Sequence, residues 1–227
     1  MEKTLLLAGA SRGLGLALAR EFLRRQWRVI ATERSHSALR ELSERTQGRL
    51  EIETLDIADA TAIAAMRERL AARRFDLVFV NAGVANGPSE TFSKVSDTEF
   101  ARMMLTNALA PMRVIEAFTD LVKSDGAVGV MSSALGSVGR NTTGQWEVYR
   151  ATKAALNMLM RSFAARPTNQ GRSLVIITPG WVRTDMGGPD AKLGIDESIP
   201  RVADVLIAQL SQPGLRFLDY TGETLPW

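Results

Sequence analysis

The chain has no cysteine and a single histidine, His36, among its 227 residues. The first absence removes disulfides, thiolate nucleophiles and thiolate metal sites together. The second leaves no histidine cluster, so no metal site is expected. Charge of one sign is also lacking: 28 basic residues against 25 acidic ones leave a net charge of +3. That near balance does not describe a nucleic-acid partner, even with a sequence pI of about 9.6. No apolar run reaches the roughly 20 residues of a membrane span, so no membrane partner is expected. The opening MEKTLLLAGASRG holds a short apolar run that flows into glycines. It reads as a buried strand rather than a signal peptide, and the expected location is the cytoplasm.

Arginine is what the chain has in quantity, 23 against five lysines, while tyrosine occurs twice. Arg20, Arg24, Arg25, Arg67, Arg69, Arg73 and Arg74 fall on helical stretches and read as solvated faces. Hydrophobic residues make up 45%, enough for a sizeable core.

Short β-rich runs alternate with helical segments along the whole chain. The expected strands are 4–9, 28–32, 50–56, 75–83, 127–133 and 173–180, with 215–220 as an edge strand. The expected helices are 14–25, 37–47, 58–74, 106–122 (despite Pro111), 148–166 and 198–211. Continuous apolar runs such as TLLLAG suit strands buried on both faces. Crossovers of this length permit parallel pairing, so the pattern implies one domain, residues 1–227, built as an α/β doubly wound, Rossmann-like parallel sheet with helices on both faces.

AGASRGLG, residues 8–15, follows the first strand and opens a helix. Free backbone N–H groups and the positive end of a helix dipole hold a pyrophosphate at such a place, and glycine lets the backbone approach. The spacing of Gly9, Gly13 and Gly15 is GxxxGxG. At the end of the second strand Glu33 suits ribose hydroxyls and NAD, whereas Arg34 beside it suits the 2′-phosphate of NADP. Arg12 adds a second guanidinium, so two cations against one carboxylate favour NADP(H) within NAD(P)(H).

YRATK places Tyr149 and Lys153 four residues apart, on one face of a helix. A free phenol has a pKa of about 10. An adjacent ammonium favours phenolate and lowers that value, which prepares Tyr149 for proton exchange with a carbonyl or alcohol oxygen. The hydride would move to or from a nicotinamide. Ser132 and Ser133 end the fifth strand at the carboxyl edge of the sheet, and one of them is expected to face the site.

GASRGLG, NAG at 81–83, Asn107, SS at 132–133, YRATK and PGWVRTDMGG at 179–188 together resemble the short-chain dehydrogenase/reductase family over nearly the whole chain. Within it, the ending FLDYTGETLPW is similar to C-factor-like proteins and sniffer-type carbonyl reductases. The resemblance implies an NAD(P)-dependent oxidoreductase acting on a small carbonyl or alcohol, with a nucleotide-binding signalling or regulatory protein as the alternative. It implies Tyr149 as acid/base, Lys153 as the group that tunes it and holds the nicotinamide ribose, and Ser133 as the positioner of the substrate oxygen. Asn107 would support Lys153 through a water. On the cofactor side it implies Ser11 and Leu14 with the loop glycines, Asp56 and Ile57 near the adenine, and Asn81, Ala82 and Gly83 along the adenosine. Pro179, Gly180, Val182 and Thr184 would flank the nicotinamide. Leu135, Trp146, Trp181 and Met186 could line the substrate. Apolar Met112, Ile115, Phe118, Leu156, Leu159 and Phe163 on two helices suggest a homodimer.

Overall fold

The computed structural model describes residues 2–35, 38–87, 89 and 91–227. Seven strands form one parallel sheet: β1 (Thr4–Ala8), β2 (Arg28–Glu33), β3 (Leu50–Thr54), β4 (Phe75–Val80), β5 (Val122–Met131), β6 (Ser173–Thr178) and β7 (Gly214–Asp219). Their order is β3-β2-β1-β4-β5-β6-β7. The order reverses between β1 and β4, and the crevice outside the carboxyl ends at such a reversal is where open α/β sheets bind ligands.

Side chains alternate along each strand and feed two cores. Leu6 and Ala8 of β1, with Val78 and Val80 of β4, pack on one face. Leu5 and Leu7, with Leu77 and Phe79, pack on the other. The first face is covered by α3 (Ala60–Arg69), α5 (Ala110–Phe118) and α6 (Glu147–Ala164). The second is covered by α1 (Gly13–Arg24), the short α2 (Leu39–Glu44) and α7 (Ile195–Ala208). Both faces being dry explains why the strand sequences read as unbroken apolar runs.

Several elements differ from expectation for local reasons. The expected helix 106–122 is three pieces: a wide π turn over Leu105–Leu109, then α5, then a tight turn over Thr119–Leu121. Pro111 has no N–H for the carbonyl four residues back and its ring crowds it, so the chain widens before α5 rather than running through. A further helix, α4 (Asp97–Met104), precedes the π turn in a stretch that looked irregular. Ser96 caps it by accepting from the Glu99 N–H at 3.2 Å. β5 ends at Met131, releasing Ser132 and Ser133 from the strand. The expected helix 37–47 spans only Leu39–Glu44, and His36 and Ser37 lie outside the described residues.

Of the arginines expected on solvated faces, Arg20, Arg24, Arg69, Arg73 and Arg74 are exposed, while Arg25 and Arg67 are half-buried. Arg25 is only 19% exposed, paired with Glu21 at 2.7 Å and with Asp204 at 2.6 Å. It joins α1 to α7. Arg67 pairs with Asp120, Arg69 with Glu53 and Arg73 with Glu51. The helix residues expected to form a dimer face are mostly core. Ile115, Phe118, Leu156 and Phe163 are buried under the sheet, and Met112 is 9% exposed. Only Leu159 of that set stays open, beside Met158 and Leu109.

Candidate functional site

Gly9 leaves β1 with φ +86°, and a Cβ there would stand 2.6 Å from that of Ala82. Glycine is therefore required by conformation and by contact. The Gly9 N–H donates to Thr32 Oγ1 at 2.9 Å. The Gly9 carbonyl accepts from Asn81 Nδ2 at 2.9 Å, and Asn81 and Ala82 N–H groups both reach the Ala8 carbonyl. The loops after β1 and β4 are thus locked together. Gly15 backs onto the Gly9 carbonyl, while a Cβ on Gly13 would meet nothing within 4 Å.

Gly13 begins α1, and no side chain caps that helix. Among the described residues its first-turn N–H groups have no side-chain acceptor, and no acidic residue sits in the turn. Such an end is built for an external anion. Gly13 lines a cleft of about 520 Å³ with Arg183, Thr184, Asp185, Gly188 and Pro189. Ser11 and Leu14 flank the loop, half-buried. These residues fit the pyrophosphate of a nicotinamide dinucleotide.

Farther along the same edge, Asp56 accepts from the Ala58 N–H in a turn after β3, and Ile57 packs into the core below. Pro179 accepts from Ser198 Oγ at 2.6 Å. Gly180 adopts φ +81° against Leu193, and Val182 bridges to Leu193. The Thr184 hydroxyl is used inside its own turn, accepting from the Gly187 N–H at 3.0 Å.

Glu33 is 2% exposed, its carboxylate accepting from Arg40 Nε at 3.0 Å. Arg34 is exposed. Arg12 is exposed too, and Nη1 reaches Asp185 across the cleft at 2.7 Å. One contact therefore joins the glycine loop to the segment after β6.

Tyr149 and Lys153 both lie on α6, buried at 9% and 3% exposure. Lys153 Nζ donates to the Met131 carbonyl at 3.0 Å and lies 5.8 Å from the Tyr149 ring centroid. Burial lowers the Lys153 pKa to about 8. Burial also raises the Tyr149 pKa to about 12, against a hydrogen bond from Ser133 that lowers it. The expected lowering of the tyrosine by the lysine is corrected here. Desolvation dominates the phenol, and the ammonium is turned to the Met131 carbonyl instead.

The two serines separate cleanly. Ser132 Oγ donates to Asn157 Oδ1 at 2.8 Å and faces the helix interior. Ser133 Oγ accepts from the Leu135 N–H at 3.2 Å and sits near enough to Tyr149 to pull its pKa down. Asn107 is fully buried in the π turn. Its Oδ1 accepts from the Val84 N–H at 2.8 Å, while Nδ2 donates to the Val84 carbonyl at 2.8 Å and to Thr152 Oγ1 at 3.0 Å. The Asn107 side chain clamps the segment after β4 and makes no direct hydrogen bond to Lys153 among the described residues. A Cβ on Gly83 would lie 3.3 Å from Asn107 Oδ1 and 3.4 Å from Lys153 Nζ, so the three meet there.

Leu135 and Trp146 pack around Tyr149 with Val84 and Ala85, and the Trp146 ring stands edge-on to Tyr149 at 6.0 Å. Trp181 and Met186 remain half-exposed on the segment after β6, away from that cluster. Sequence reasoning missed Thr152, Asn157 and Asn86. Thr152 and Asn157 lie three and eight residues after Tyr149, on the same helical face, and that spacing could have found them. Asn86 has both side-chain polar atoms buried without a partner. Nothing in the sequence sets it apart. Among the described residues no group of three or more His, Asp or Glu could hold a metal.

The buried lysine sets a pH dependence. Its neutral form is favoured by folding, so the unfolded chain binds the proton more tightly between pH 8 and 10.5. Stability should therefore rise with pH across that window. It should gain about 3 kcal/mol over Lys153→Met from pH 7 to 10.5, less whatever the Tyr149 ionisation begins to contribute above pH 10. Urea unfolding of both proteins at several pH values measures it, and parallel curves would refute the buried-ammonium assignment.

The family model for short chain dehydrogenase matches residues 3–192. A short-chain dehydrogenase/reductase of Burkholderia multivorans, solved with bound NADP, is 52% identical with a TM-score of 0.97, covering 100% of both chains. A carbonyl reductase of Pseudomonas aeruginosa PAO1 in complex with NADP is 36% identical with a TM-score of 0.92, again over 100% of both chains. C-signal of Myxococcus xanthus is 37% identical over 154 residues, 67% of this chain and 92% of that protein. The chain belongs to the short-chain dehydrogenase/reductase family of NAD(P)-dependent oxidoreductases.

Proposed function

We propose that this chain is an NADP(H)-preferring carbonyl reductase of compact carbonyl compounds, working in the cytoplasm. The observation that carries the chemistry is the buried Tyr149 side chain beside Ser133, with Lys153 on the same helix face. When bound, the nicotinamide supplies or accepts the hydride. The protein's own part is to hold the carbonyl oxygen between the Tyr149 and Ser133 hydroxyls. A phenol with a pKa near 12 is fully protonated at neutral pH, ready to donate as negative charge grows on that oxygen. Asn107 positions this set through Val84 and Thr152. Absorbance of NADPH followed with a panel of aldehydes, ketones and diols tests the reading. Tyr149→Phe should lose about 100-fold or more in kcat while still binding cofactor. A signalling role is the second reading, on the likeness to C-signal. It takes over if the parent protein binds NADPH tightly and turns over none of the panel.

Cofactor choice follows from where the charges stand. The Glu33 carboxylate is held inward by Arg40, so it does not repel a 2′-phosphate, while Arg12 and Arg34 reach solvent. The two NADP-bound relatives support the same preference. Arg12→Ala should weaken NADPH binding by about 10-fold or more and leave NADH within about twofold, the difference being one charge-assisted hydrogen bond. Fluorescence titrations with both cofactors measure it. An NADH preference in the parent would mean that Glu33 governs after all.

The protein pairs as a homodimer through the exposed apolar residues Leu109, Met158 and Leu159. Sedimentation velocity at micromolar concentration should give a dimer mass, and Met158→Asp with Leu159→Asp should give a monomer that remains folded. A monomeric parent would refute the pairing.

A further inference from the structure

The amino ends of β5 and β6, opposite the Tyr149 edge, enclose a second cavity of about 380 Å³. Its polar lining comes from Lys123, Ser124, Thr168, Gln170, Arg172 and Ser173, and no lining residue is acidic. Two cations line it, Lys123 and Arg172. Lys123 Nζ does have a partner: it holds the Asp76 carboxylate at 2.9 and 3.0 Å. Asp76 in turn accepts from the Thr4 N–H, so its oxygens are engaged. Arg172 is different. Its Nε is buried and without a partner, and its guanidinium takes part in no ion pair among the described residues.

The arginine is held in place by its backbone. Its N–H donates to the Asn169 carbonyl at 3.1 Å, and its carbonyl accepts from the Gly214 N–H at 2.9 Å. Asn169 is itself buried, donating Nδ2 to the Phe163 carbonyl at 2.8 Å. The neighbouring Gly171, which also lines the cavity, has φ +87°, and a Cβ there would meet nothing within 4 Å. A buried donor left unmet in a built cavity costs stability, and native structures meet such groups with a ligand or ordered water. A guanidinium presents a planar fork that matches the two oxygens of a carboxylate or phosphate.

We propose that this cavity binds a small oxyanion, the phosphate or carboxylate group of a small metabolite, with Arg172 as its principal ligand and Ser124, Thr168 and Gln170 as hydroxyl and amide donors. The site is separate from the cofactor cleft and lies at the other end of the same strand: β5 begins at the cavity and ends at the Met131 carbonyl that holds Lys153. An occupant therefore does not compete with NADPH.

Thermal unfolding of the protein saturated with NADPH tests this, since the cofactor then blocks its own phosphate subsites. Inorganic phosphate and, in parallel, acetate are titrated at ionic strength held constant with chloride. A saturable rise in Tm is expected with at least one of them, and the more effective anion names the class. Arg172→Gln should weaken that response at least tenfold, and Arg20→Ala, at an exposed arginine outside both clefts, should leave it unchanged. Should Arg172→Gln fail to fold, Ser124→Tyr, an exposed substitution that fills the mouth, must abolish the response instead. No anion-dependent rise in the parent, or an undiminished rise in a folded Arg172→Gln or Ser124→Tyr protein, overturns the proposal.

Discussion

Burying an ammonium is the constraint around which the catalytic edge is arranged. Lys153 is 3% exposed, and a charge that far from water must find acceptors or give up its proton. The sheet supplies the acceptor at the last residue of β5, the Met131 carbonyl. That single donation fixes where α6 can lie along the sheet. It sets Tyr149 one turn earlier on the same face, and Ser133, two residues beyond Met131, comes level with the phenol. Ser132 is left pointing into the helix, where Asn157 meets it. The order serine-in, serine-out follows from the strand ending at Met131 and the alternation of side chains past it.

The second half of the edge is held by amide clamps rather than by packing. Asn81 ties the β4 loop to the Gly9 carbonyl, and Asn107 ties it to α6 through Thr152. These two residues make the glycine loop and the Tyr149 face of α6 one rigid unit. The π turn that carries Asn107 exists because Pro111 interrupts regular hydrogen bonding just after it, so a residue that weakens a helix also aims the amide.

Much of this was legible in the sequence, because the signals were strong where packing and covalent geometry act locally. Apolar runs identified the strands, glycines identified the loop, and the spacing of tyrosine and lysine put both on one buried face of α6. What stayed hidden depended on competition between effects. The Ser96-x-x-Glu99 cap announces α4, yet the polar residues around it disguised the helix as loop. The dimer-face expectation misjudged Met112, Ile115, Phe118, Leu156 and Phe163 because a helix lying across a sheet needs a wider apolar stripe than a single face suggests. The phenol's shift went the other way from expectation, since a sequence reveals that a lysine is near but not that both groups are dry. Glu33 and Arg34, adjacent in sequence, point differently: strand alternation drew one inward to Arg40 and left the other outside.

The contact between Arg12 and Asp185 has a kinetic consequence. Both side chains are largely exposed, 75% and 84%, so their attraction is worth at most about 1 kcal/mol and is screened beyond roughly 8 Å at physiological ionic strength. It is a catch, not a lock. It keeps the glycine loop and the segment after β6 near each other in the empty protein, yet it opens on the time scale of side-chain motion. A dianionic phosphate arriving at Arg12 would exchange one partner for a better one and free Asp185, and the entrance to the cleft would then open by ion exchange rather than by unfolding of either loop.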